Sequence, residues 1–93
     1  MILPDRESLA LHRAIVGIPS VSGSEADLAG FVEERLRQRG ADPVRVGQSV
    51  LALHGEGPVL LLDTHLDTVP PAPGWTRDPW QVEAVDGRVT GLG

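Results

Sequence analysis

The sequence predicts an α/β chain in which two amphipathic helices are followed by a run of short strands and β-hairpins. Three observations carry this. Apolar residues recur at helical spacing as far as about Arg39, the period changes to two from Ala41 onward, and glycine- and proline-containing turns separate the later segments. At 93 residues the chain, numbered 1-93, makes one small domain at most.

Taken in order, Pro4-Asp5-Arg6-Glu7-Ser8 opens the first helix and places acidic residues in its first turn, where the helix dipole favours them. Leu11, Ala14, Ile15 and Ile18 give it one apolar face, and Gly17 with Pro19 ends it. Ile18 to Gly23 reads as a loop, because Pro19 disfavours helical geometry in the residue before it. Ser22-Gly23-Ser24-Glu25 fits a capping box, with Ser22 as the cap and Glu25 reaching back. The second helix then runs to about Arg39. Its buried stripe is Leu28, Phe31, Val32 and Leu36, and Glu33, Glu34, Arg35, Arg37 and Arg39 ride mostly on its wet face. Gly40 is the expected left-handed stop.

Beyond it, Val44 and Val46 predict a short strand, and Val50 to Leu53 another. Gly55-Glu56-Gly57-Pro58 turns the chain into Val59 to Leu62, whose unbroken apolar run predicts a buried strand. Pro70, Pro71, Pro73 and Pro79 stiffen the loop that follows. Gln81 to Val85 alternates, Asp86-Gly87 predicts a tight hairpin turn, and Arg88-Val89-Thr90 returns.

Composition removes several functions. The net charge is −5 and all eight basic residues are scattered arginines, so no basic face exists to neutralise a nucleic acid. There are no cysteines, so a metal site must draw on histidine and carboxylates. The amino terminus lacks the basic start and long apolar core of a signal peptide. No apolar run approaches the ~20 residues that span a bilayer. The expectation is a cytoplasmic chain with no membrane partner.

The chemistry concentrates at His65. It follows the apolar run and sits where a strand meets a loop, the usual place for function in an α/β sheet. A metal-binding imidazole needs an acceptor on its other nitrogen to fix ring and tautomer. Asp67 stands two residues on and points to the same side in extended geometry. His12 and His54 lack ligand spacing to His65 and read as surface or partly buried residues. Asp63 could make only a weak, adventitious site with His65. Trp75 and Trp80 are expected to anchor the proline-rich loop to the core. Arg77 could steer a carboxylate substrate, but it reads as an exposed loop arginine whose direction nothing fixes.

Leu60 to Pro70, then Gly74 to Trp80, then Asp86 to Gly93 resemble the acetylornithine deacetylase and succinyl-diaminopimelate desuccinylase family of dinuclear zinc amidohydrolases. The Ile18 to Gly23 loop between two helices resembles it too. The resemblance implies the first part of a zinc-peptidase catalytic domain, with a dimerisation domain elsewhere. It implies that His65 is the first zinc ligand and that Asp67 is the catalytic-site carboxylate orienting it without binding metal. Gly91-Leu92-Gly93 matches the approach to a bridging aspartate expected a few residues further on. The paired glutamates of the family are not Glu33-Glu34, which precede His65 on a charged helix face. The implied activity is zinc-dependent removal of an acyl group from an N-acyl amino acid, with cobalt as the alternative metal and a homodimeric parent. A dipeptidase or carboxypeptidase of the same fold, or a non-catalytic remnant or binding module, remains open. The 93-residue chain alone is expected to bind zinc weakly or not at all, to lack activity, and to self-associate through uncovered strand edges.

Overall fold

The computed structural model describes residues 5–93. Helix α1 spans Arg6–Val16 and helix α2 spans Ala26–Gln38. Asp5 caps α1, its Oδ1 accepting the Ser8 amide at 2.7 Å. The expected opening at Pro4 lies outside the described residues. The end of α2 is a complete Schellman motif. Gly40 takes φ 87°, its amide donates to the Arg37 carbonyl, and the Ala41 amide donates to the Leu36 carbonyl.

The capping box does not form. Glu25 itself holds the N-cap position, and its Oε1 accepts the Gly23 amide at 2.7 Å. The Glu25 amide donates instead to Gln48 Oε1. Ser22 is drawn away because its hydroxyl donates to a carboxylate, Asp67, a stronger acceptor contact than a neutral one.

Two antiparallel hairpins follow. Strand β1 (Val44–Val46) pairs with β2 (Ser49–Leu51), and β3 (Glu83–Val85) pairs with β4 (Arg88–Thr90). Asp86 and Gly87 both take positive φ, 51° and 74°, as a type I′ turn requires. Arg45 ties the first hairpin to α2 by pairing with Glu33 at 3.3 Å, and Glu33 also contacts Arg37. Glu33 is therefore half-buried and bridging, whereas Glu34 stays on the wet face. Glu7 joins α1 to α2 through Arg35 and Arg39.

The core is small: Val16, Leu28, Ala29 and Val82 are buried, with Ser20 as a buried polar residue. The expected faces of both helices are otherwise half-buried. The architecture is mixed α/β, but the two sheets stay separate, and Val59 to Leu62 is not a strand. Those four residues are 74, 84, 70 and 87% exposed. An apolar run becomes a buried strand only when neighbours supply backbone partners and a covering layer, and among the described residues none does so. The predicted strand Val50 to Leu53 likewise stops at Leu51. No helix among the described residues is long and apolar enough to cross a membrane.

Arg77 corrects a second expectation. Its guanidinium donates to the Gln81 carbonyl at 2.6 Å and to Thr90 Oγ1 at 2.7 Å, and it pairs with Glu83 at 3.1 Å. Its direction is thus set by β3, β4 and the turn before them. It braces the proline-rich loop against that hairpin instead of pointing free into solvent.

Candidate functional site

The segment around His65 is held by the loop between α1 and α2. Val21 and Thr68 form an isolated parallel bridge: the Thr68 amide donates to the Ser20 carbonyl at 2.8 Å and the Ser22 amide to the Thr68 carbonyl at 3.0 Å. Ser20 is 2% exposed, and its hydroxyl donates to the Leu66 carbonyl at 2.8 Å. Leu66, Asp67 and Thr68 are thereby half-buried, while the residues before them are exposed.

The predicted pair is brought together. His65 Nδ1 lies 2.9 Å from the Asp67 carbonyl and 3.2 Å from Asp67 Oδ1. Both atoms are acceptors, so Nδ1 carries the proton in the neutral ring and Nε2 keeps its lone pair. Asp67 Oδ2 accepts the Ser22 hydroxyl at 2.6 Å. That hydrogen bond holds the Asp67 carboxyl below its usual range against the opposing effect of desolvation, with lesser help from the residue's own amide and from His65. With one oxygen facing Ser22 and the other facing the imidazole, Asp67 is arranged to orient His65.

Two recesses flank the pair. A cleft of about 470 Å³ runs between the β2 segment and Leu61 to Asp67, and a cavity of about 300 Å³ lies toward Trp80, Leu92 and Gly93. Each is of a size that takes a small molecule. His12 lines the second recess and Asp63 the first, whereas His54 borders a separate groove beside Val59 to Leu62. Trp80 is half-buried, as an anchor should be, but Trp75 is 39% exposed with the Arg77 guanidinium 5.9 Å from its ring centre. The role of Ser20 and Ser22 was missed in the sequence. Its only local signal is the alternation Ser20-Val21-Ser22, which suits a short extended segment as well as a loop.

The donor chemistry fits zinc at one point. A neutral imidazole with Nε2 free, backed by a carboxylate, is the arrangement a zinc ligand adopts. Catalytic zinc takes three protein ligands, and among the described residues no group of three or more His, Cys, Asp or Glu side chains converges.

Comparison with known proteins bears on what such a pair belongs to. A succinyl-diaminopimelate desuccinylase from Rhodospirillum rubrum is 36% identical over 97 residues, covering 94% of this chain and 25% of the relative. An acetylornithine deacetylase from Edwardsiella ictaluri is 35% identical, covering 91% of this chain and 26% of the relative. The chain is homologous to these desuccinylases and deacetylases. A second desuccinylase, from Methylorubrum populi, matches at 32% identity over 98% of the chain. The chain spans about a quarter of the length of the curated relatives it matches. No protein-family model and no solved structure matches it.

Proposed function

We propose that the chain is the His65-bearing part of a catalytic domain in a zinc-dependent amidohydrolase that removes an acyl group from an N-acyl amino acid. The observation that carries this is the His65–Asp67 pair, set with Nε2 directed away from its carboxylate in a chain homologous to desuccinylases and deacetylases. The relatives' names favour acyl-group removal over cleavage between amino acids. In this reading His65 holds metal through Nε2 and Asp67 fixes its ring. Zinc, two ions in the whole enzyme, supplies a polarising Lewis acid and a water of lowered pKa when bound. The remaining ligands and the general base come from the part of the relatives this chain does not span, as does the domain through which the parent dimerises.

The 93-residue chain alone then offers one good ligand, so it binds zinc weakly and turns over nothing. Isothermal titration with zinc and an acylamino-acid hydrolysis assay check this, and micromolar affinity or measurable turnover would refute it. The functional reading itself is tested by the coding sequence past Gly93. An in-frame aspartate soon after, then a Glu–Glu pair, supports the enzyme, and an immediate stop codon supports a non-catalytic remnant.

A further inference from the structure

We propose that Ser22 is a positioning residue for this site: its hydroxyl holds Asp67 in the rotamer that adds a carboxylate to the main-chain carbonyl already accepting at His65 Nδ1, and so biases the tautomer of the ring. The proposal rests on the metal-ligand reading of His65 for its purpose but not for its geometry. Ser22 occupies the place where the sequence predicts a helix cap, yet its oxygen accepts from no amide of α2. A hydroxyl has one proton. The Asp67 Oδ2 contact at 2.6 Å is far shorter than the alternative at 3.4 Å to the Thr68 carbonyl, so the proton goes to Asp67.

The consequence runs along three side chains. Asp67 is attached to the segment carrying His65, and within that segment only its own amide and the His65 ring touch its carboxylate. Ser22 lies 45 residues away in sequence and is fastened to the same segment by its own amide on Thr68. It pins Oδ2, and the geometry of a carboxylate then places Oδ1 against Nδ1 at 3.2 Å. With Nδ1 protonated, the free lone pair is on Nε2, the nitrogen turned away from the carboxylate. Without Ser22, Asp67 can rotate into solvent, and Nδ1 keeps only the Asp67 main-chain carbonyl as acceptor, so the hold on tautomer and ring orientation weakens. The loop between the helices therefore acts at the site without touching a metal or a substrate.

The test is imidazole nitrogen NMR on the 93-residue chain at a pH where His65 is neutral. Wild type is expected to show His65 mainly as the Nδ1–H tautomer. Ser22→Ala should raise the Nε2–H share by roughly 2- to 10-fold, the size of one solvent-exposed hydrogen bond, and Ser22→Thr should restore it. In an Asp67→Asn background, Ser22→Ala should add nothing further, because its effect passes through the carboxylate. An unchanged tautomer ratio in Ser22→Ala, or an equal shift with and without the Asp67 carboxylate, overturns the proposal. Titrating wild type with zinc separates it from the metal reading. At millimolar zinc, a shift confined to carboxylate-bearing surface residues with none at His65 Nε2 counts against the ligand role while leaving Ser22 in place, and a shift at Nε2 with a tautomer insensitive to Ser22→Ala does the reverse.

Discussion

The chain is expected to self-associate through Leu60 and Leu62, and replacing both with glutamate should leave it monomeric. The two leucines are 84 and 87% exposed, and in extended geometry they project from one side. Full burial of a leucine is favourable by about 2 kcal/mol, so the pair offers about 3 kcal/mol per copy on docking. Losing it weakens association by about 100-fold, and a symmetric pair loses it twice. The charge change works in the same direction, since each copy already carries −5 and would carry two further negative charges. Sedimentation velocity across a concentration series measures the effect. Helix content by circular dichroism should stay constant, because both positions lie outside α1 and α2. The reasoning fails if wild type sediments as a single monomer up to its solubility limit. It also fails if the double variant associates as tightly as wild type.

Other outcomes are more local. Asp5 caps α1, and the Ser8 amide holds its carboxyl below the usual range. That contribution is whole above the unfolded-state value of about 3.9 and is lost as pH falls through the lower native value. The Ser8 amide should therefore lose its hydrogen-bonded character only below about pH 4, and in Asp5→Asn this pH step should vanish. Gly87→Ala meets open space around the new methyl group, so its cost is backbone strain at φ 74° alone. It should be about 1 kcal/mol, read as weakened cross-strand contacts between Ala84 and Val89. Ser20→Ala leaves the Leu66 carbonyl without its partner in a half-buried position. Opening of the bridge should become about 1–2 kcal/mol easier, seen as roughly 5- to 30-fold faster exchange of the Thr68 amide. Unchanged exchange would show that Ser20 does not anchor the segment.

What could be read from the residues alone is what short stretches decide among themselves. The start of α1 beside Asp5, the end of α2 at Gly40 and the Asp86-Gly87 hairpin each depend on contacts within a few residues and each is found where the sequence predicts it, although Asp5 serves as the cap and not as a first-turn residue. The approach of His65 to Asp67 was legible for the same reason, being a two-residue spacing. Residues whose partners are remote in sequence were misread. Ser22 looked like a cap until a carboxylate 45 positions away became its acceptor, and Arg77 looked free until β3 and β4 surrounded it. Val59 to Leu62 has the composition of a buried strand, but composition supplies no neighbour for its backbone. Local hydrogen bonding and backbone stereochemistry are properties of the sequence itself. Burial and hydrogen-bond choice between competing partners are properties of whichever groups the tertiary structure brings within reach.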